Sequence, residues 1–461
     1  MPSPLRANWP TPGHRIGPRG WSTTGLLAHL QTVFSVMPSG LSRYVTCRSR
    51  LDWPDNWHAE GATWRLGWRP PGARLSVAIG CSAVCPVVAL PLRLVPERDD
   101  PDAGFAPDAD VLRELRNWIG SLQVMADCAI VAECPQIVGE DIVVPLRLWL
   151  PRLWLTAADP GDDDGVAIAA VIDRDGTASD AELAITEALA QVSWRAPGLV
   201  SPASAVREMP VDLGAVLANL AATDSQIAKL VVGWPRDYLS EANGPDLLRS
   251  ALHQRPDAYA IDVAVPGRRF LCASPELLAY AGEDCVRALA LAGTSVDAGS
   301  DSAQLAQEHA VVADFVAETL AQLGATAVSR HQHVRQCGPL KHWATAFEAP
   351  RPAGLDALTL AAHLHPTPAL LGAPRHRALR LMAATESDPR TWYTGFAGVL
   401  ASDGSGKGEL AALLRGIEPT AAGWRSWAGA GLVAGCDAAT EASEIDRKHR
   451  AIAAAFGLGP A

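Results

Sequence analysis

Three sets of acidic side chains have types and spacings that could do chemistry together. Glu276 directly follows Ser274-Pro275 at the end of a strand-like run, Glu308 precedes His309 in a long amphipathic stretch, and Glu441 and Glu444 are three apart. That last spacing puts both on one face of a helix. Carboxylates converging from separate elements can hold a hard cation such as Mg²⁺. On spacing alone, exposed glutamates are the commoner explanation. Arg415 could offer a bidentate fork to a carboxylate, although an isolated strand arginine is ordinarily just solvent-exposed. The run AGAGLVAG at 428–435, read as lying between a strand and a helix, lacks the GxGxxG spacing of a dinucleotide loop. Its small residues would still let backbone N–H groups approach an anion.

Periodicity indicates the elements that must position these groups. RLSVAIG (74–80), PVVALPLRLV (86–95) and DIVVPLRLWL (141–150) are β-like, and 110–122 and 180–191 are helix-like. Further on, 205–222 reads as a helix and AKLVVGW (228–234) as a short apolar strand. AYAIDVAV (258–265) and RRFLCAS (268–274) form a strand pair around Pro266-Gly267, and 302–323 is a long helix. GELAALLRGI (408–417), carrying Arg415, and GWRSWAGAGLV (423–433) read as strands, and 440–456 as a closing helix. Strand pairs joined by tight turns predict an α+β protein with largely antiparallel sheets. Polar stretches at 97–108 and 157–165 read as surface loops. The aspartates of the second lack the ligand spacing of an EF-hand.

Composition narrows the class. The 461 residues are 48% hydrophobic and 19% charged, with a formal net charge of −11. That is ample for a large core and gives no reason to expect nucleic acid as a partner. The nine cysteines are scattered without a CxxC pair, so reduced, mostly buried thiols are expected. No apolar run is long enough for a membrane helix. The polar, Pro- and Gly-rich first twenty residues read as a loose arm without a signal peptide, and a cytoplasmic location is expected.

Several segments, in order, resemble the chorismate-utilising enzymes, a family of isochorismate, salicylate, anthranilate and aminodeoxychorismate synthases. They are ASPELL (273–278), ALAGT (290–294), Glu308-His309, LKHWATAFE (340–348), HLHPTPALLGAP (363–374) and the pattern Glu386…Arg390…YTGFAG ending at Gly398. GELAALLR (408–415), AGAGLVAG and EASEIDRK (441–448) complete the set. The resemblance covers roughly 205–457. It implies a variable N-terminal half, 1–204, and a chorismate-binding catalytic region, 205–461. It also implies one large antiparallel β core built by both halves, with helices outside, and an Mg²⁺ that holds the ring carboxylate of chorismate. Glu308 and Glu444 would be the metal ligands, with Glu441 close by. Arg415 and the backbone at Gly429, Ala430 and Gly431 would bind substrate carboxylates. Thr294 and His342 would line the pocket, and Lys448 would support the carboxylate and metal region.

Within that family, Lys229 matches the lysine that resembles the general base of the water-using members; a lysine in that role needs burial or a nearby cation. Glu276 occupies the place of the acid that protonates the departing C4 hydroxyl. Ala292 stands where similar aminodeoxychorismate synthases carry a nucleophilic lysine, which leaves C2 open to water. These positions point to an isochorismate synthase. A salicylate synthase and a non-catalytic chorismate-binding homologue are the alternatives. No glutaminase partner is expected, and a monomer or weak homodimer is. The chain departs from the family at Trp234, where arginine is usual and Arg236 lies two residues on. It departs again at Gln304 and Leu305, in place of a Lys-Asp pair, and after ALAGT, where an arginine is missing.

Overall fold

The computed structural model describes residues 226–295 and 303–459 continuously. Before them it describes 105–121, 127–138, 141–151 and 210–222, together with separate strand segments between 44 and 208. The helix expected at 180–191, most of the 157–165 loop and the N-terminal arm lie outside the described residues.

The described residues include seven helices: α1 (Ala109–Ser121), α2 (Leu213–Ala222), α3 (Gly244–Gln254), α4 (Ala303–Gln322), α5 (Ala357–Leu364), α6 (Arg375–Thr385) and α7 (Ala438–Phe456). Local chemistry sets their ends. Asn243, Asp356 and Asp437 cap α3, α5 and α7 by accepting from the backbone N–H three residues on, and α7 stops at Gly457 in the left-handed conformation. The helix expected over 205–222 is shorter. Ser204–Glu208 is a strand, and α2 begins only beyond Pro210, with the Asp212 carboxylate accepting from the Ala215 N–H at 3.0 Å. A proline biases the residue before it away from the helical region, so the helical pattern cannot extend back through it. The polar loop expected at 97–108 likewise ends in a short strand, Phe105–Pro107.

Two large sheets form the core, and every ladder among the described residues is antiparallel. In the 12-stranded sheet, Arg65–Arg69, Tyr259–Val265, Arg268–Ser274, Gly416–Thr420, Gly423–Leu432, Lys229–Leu239 and Ser204–Glu208 are successive neighbours. In the 11-stranded sheet, Ser329–Cys337, Leu340–Pro350, Cys285–Ser295, Leu277–Ala281, Gly408–Ala412, Phe396–Ala401, Asp127–Ala132 and Asp141–Trp149 run in that order. Both sheets draw strands from both halves of the chain: Arg65–Arg69 pairs with Tyr259–Val265, and Asp127–Ala132 with Phe396–Ala401. Leu66, Ile261, Val263, Phe270 and Trp427 of the first sheet pack with Val131, Trp149, Ala397 and Ala411 of the second. Each large apolar side chain buried there contributes ~1.5–3 kcal/mol. Helix α4 packs on Cys285–Ser295 and Leu340–Pro350, and α7 packs on Gly423–Leu432. No helix among the described residues is long and apolar enough to cross a membrane.

The chain crosses between the sheets twice at one place. It leaves the first sheet after Ser274 through Pro275-Glu276, and returns from Ala412 through residues 413–415 to Gly416. The crossings are bonded to each other, Ala412 N–H donating to the Glu276 carbonyl at 3.1 Å and Ala273 N–H to the Arg415 carbonyl at 3.3 Å. The single strand expected over 408–417 is therefore two. Arg415 sits in the break between them rather than on a strand, with a left-handed φ of 54°. Gly429, Ala430 and Gly431 lie within Gly423–Leu432, the strand expected over 423–433, which corrects the reading of the small-residue run as lying between a strand and a helix.

Candidate active site

A cavity opens where the crossings meet. Ten of the residues singled out above line it: Lys229, Glu276, Thr294, Glu308, His342, Arg415, Gly429, Ala430, Gly431 and Lys448. Glu441 and Glu444 do not reach its wall. Glu444 connects to it through Lys448, whose Nζ lies 2.6 Å from Glu444 Oε1 and donates to the Gly429 carbonyl at 2.7 Å.

Lys229 begins the strand Lys229–Leu239 and is 1% exposed. Its Nζ lies 3.0 Å from Glu308 Oε1, on α4. Glycine at 431 leaves room for this pair, since a Cβ there would collide with Glu308 Oε1 and Lys229 Cε. Gly431 faces Val231 and Gly429 faces Gly233 in the ladder between the two strands, so this wall of the cavity is nearly bare backbone.

Glu276 is equally buried, but its Oε1 has no hydrogen-bond partner. Burial pushes its pKa up to about 8, against the weaker pull of Lys229 and Arg335. At neutral pH the group is a neutral carboxylic acid facing the cavity, able to donate a proton.

His342, on Leu340–Pro350, is held well below its ordinary pKa by burial and then by the neighbouring cations, Arg415 first. It is therefore neutral. Arg415 Nη2 lies 2.9 Å from His342 Nε2, and since guanidinium can only donate, Nε2 accepts. The ring proton is then on Nδ1, which donates to Thr294 Oγ1 at 3.2 Å. The chain Thr294–His342–Arg415 fixes the guanidinium, and Arg415 Nη1 is left buried and unpaired. A buried, unpaired donor of this kind is costly unless an acceptor meets it, and a ligand carboxylate is such an acceptor.

The carboxylates suit a hard cation in their chemistry. Glu441 is raised to about 7 by burial and then by the negative charges of Glu444 and Glu308, a like-charge conflict that a divalent ion relieves. As they stand, no three His, Cys, Asp or Glu side chains among the described residues are grouped to grip an ion. Two of the donors are drawn elsewhere, Glu308 to Lys229 and Glu444 to Lys448. The donor set thus fits Mg²⁺, and holding it requires these two carboxylates to turn from their lysines.

Sequence reasoning assigned no role to several residues that shape the site. Tyr393 lines the cavity, stacks on Trp427 at 5.5 Å and covers the glycine wall at Gly233 and Gly429. The YTGFAG motif marked its position without its role. His309, beside Glu308, has its pKa lowered to about 4 by burial and then by the Lys229 charge, and its Nε2 meets Thr345 Oγ1 at 2.8 Å. Trp234, one of the departures, is buried. Arg236 turns instead to Glu208 and to Asp446 on α7, each at 2.8 Å.

The family described as chorismate binding enzyme matches residues 218–457. Isochorismate synthase DhbC of Bacillus subtilis (strain 168) is 33% identical over 234 residues, 46% of this chain and 58% of that protein. Isochorismate synthase EntC of Escherichia coli (strain K12) is 30% identical over 257 residues, 52% of this chain and 65% of that protein. The chain thus spans less than two thirds of the length of these relatives. The solved structure of MenF, the menaquinone-specific isochorismate synthase from Escherichia coli, shares the fold, with a TM-score of 0.69 at 19% identity over 95% of this chain and all of that one. With more than half of its length matched and the fold shared, this chain belongs to the chorismate-binding enzyme family.

Proposed function

We propose that the protein is an isochorismate synthase, which adds water at C2 of chorismate while the C4 hydroxyl leaves as water. The observation that carries this reading is one cavity holding both a buried amine, Lys229, and a neutral carboxylic acid, Glu276. The relatives that are isochorismate synthases support it.

Lys229 takes the proton of the attacking water, for which Glu308 must release it. Glu276 gives its proton to the departing hydroxyl, so that one water enters and one leaves. Arg415, aimed by His342 and Thr294, pairs with a carboxylate of the substrate. The Gly429–Gly431 backbone lets the ring lie close to the strand, and Lys448 braces that strand at the Gly429 carbonyl. Mg²⁺ would be held by Glu308 and Glu444 with Glu441 beside them, and when bound it neutralises carboxylate charge on the substrate. Ala292 is buried on the cavity wall and offers no amine, so water is the nucleophile and no glutaminase partner is invoked.

The test is product identity. Purified protein with chorismate and Mg²⁺ is expected to give isochorismate by chromatography, and EDTA to stop it. Fluorescent salicylate with accumulating pyruvate would make it a salicylate synthase. Saturable binding without turnover would make it a binding protein.

A further inference from the structure

Among the described residues, the strand carrying Lys229 lacks a β neighbour on one edge just beyond the lysine. One edge of Lys229–Leu239 pairs continuously with Gly423–Leu432. On the other edge, Gly372–Ala373 covers Lys229 and Leu230, and Ser204–Glu208 covers the strand only from Arg236 onward. Among the described residues, no strand covers 231–235 there, and buried backbone groups left unpaired are costly.

The groups at 231, 233 and 235 point to that open edge, because hydrogen-bonding direction repeats every second residue. Val231 N–H donates to the Leu371 carbonyl at 2.9 Å. The Val231 carbonyl accepts from Arg390 Nη2 at 2.7 Å, and Gly233 N–H donates to Glu386 Oε1 at 2.8 Å. Residue 235 is proline and has no N–H to satisfy. One ion pair thus supplies two of these three bonds.

That pair is fully enclosed. Arg390 Nη2 lies 2.5 Å from Glu386 Oε1, with side-chain exposures of 1% and 5%. Arg390 also donates to the Leu370 carbonyl at 2.8 Å, and its guanidinium lies 5.5 Å from the centre of the Tyr393 ring. The pair therefore touches the Lys229 strand, the segment between α5 and α6, and the aromatic ring covering the glycine wall.

We infer that Glu386 and Arg390 are positioning residues that replace the missing strand and hold Lys229 and Tyr393 in register with the cavity. This role rests on the reading of Lys229 as the base. An apolar contact could fill the same space but could not bond a carbonyl at 231 and an N–H at 233 together.

The test compares Arg390→Lys and Glu386→Gln with Lys229→Ala, using two readouts on folded protein. Hydrogen exchange of the 229–235 backbone is expected to accelerate at least about tenfold in both clamp variants, while 259–265 stays slow. In turnover, kcat is expected to fall about 100-fold with KM within about threefold, because a small displacement of a reacting group costs that much. If Arg390→Lys does not fold, Glu386→Gln, which removes the charge that holds the Arg390 guanidinium on the strand, carries the comparison. A folded clamp variant with wild-type exchange at 229–235 would overturn the inference. So would one with accelerated exchange and unchanged kcat. If Lys229→Ala keeps full activity, the base assignment is what fails, and the exchange result still decides the clamp.

Discussion

Glu308 and Glu444 each rest on a lysine, whereas Glu276, which shares its cavity with Glu308, has an oxygen with no partner at all. One residue type thus serves two purposes according to its surroundings. A glutamate rising from a helix beside a lysine, as Glu308 and Glu444 do, has a polar partner and can turn from it to a cation. A glutamate at the crossing between two sheets, packed away from water, keeps its proton. The difference teaches that position in the fold, rather than residue identity, gives these carboxylates the different surroundings that the proposed roles of ligand and acid require.

The comparison can be broken or sharpened by mutation. Lys229→Ala should have the largest effect, lowering the chorismate turnover rate ~10³-fold or more by removing the base, and steady-state kinetics would show it. Glu276→Gln should lower turnover ~10²–10³-fold, with chorismate affinity by calorimetry largely kept. Gly431→Ala forces a methyl into the Lys229–Glu308 pair and should cost ~10²-fold in kcat/KM with little change in melting temperature. The pH–rate profile should fall on the alkaline side, about tenfold per unit above pH 8, as Glu276 loses its proton. Stability carries the same sign. The folded protein binds the Glu276 proton more tightly than the unfolded chain does, so stability falls as pH rises from about 4.5 to about 8. Glu276→Gln should remove that slope and gain about 4 kcal/mol at pH 8 by urea unfolding, trading activity for stability. The smallest effect belongs to the exposed pair Arg287–Glu348 on the second sheet, where Arg287→Ala should change stability by less than ~1 kcal/mol and leave turnover alone.

Much of this arrangement was readable in advance. The antiparallel pair around Pro266-Gly267, the long α4 and the terminal α7 follow from apolar period and turn residues. Ten of the twelve chosen site residues share one cavity because their motifs sit on elements that the two sheets bring together. What escaped had physical reasons. The run 408–417 is almost continuously apolar, as a buried strand would be, and nothing in that pattern announces a left-handed Arg415. That conformation arises from the pairing of two crossings distant in sequence. The strand Ser204–Glu208 was hidden by apolar residues that also suit a helix, although Pro210 and Asp212 carry the signal for where α2 begins. Glu386 and Arg390 stood out as a motif, but their task depends on which strand is missing beside residue 231, and only the register reveals it.

Because Arg65–Arg69 and Asp127–Ala132 are each inserted beside strands that come far later in the chain, neither sheet can close until most of the polypeptide has been made. Assembly should therefore be slow for the protein's size, as it is when partners are remote along the chain. A fragment starting near residue 205 would present the bare margins of Tyr259–Val265 and Phe396–Ala401 to other molecules, and aggregation rather than a trimmed enzyme is its expected fate.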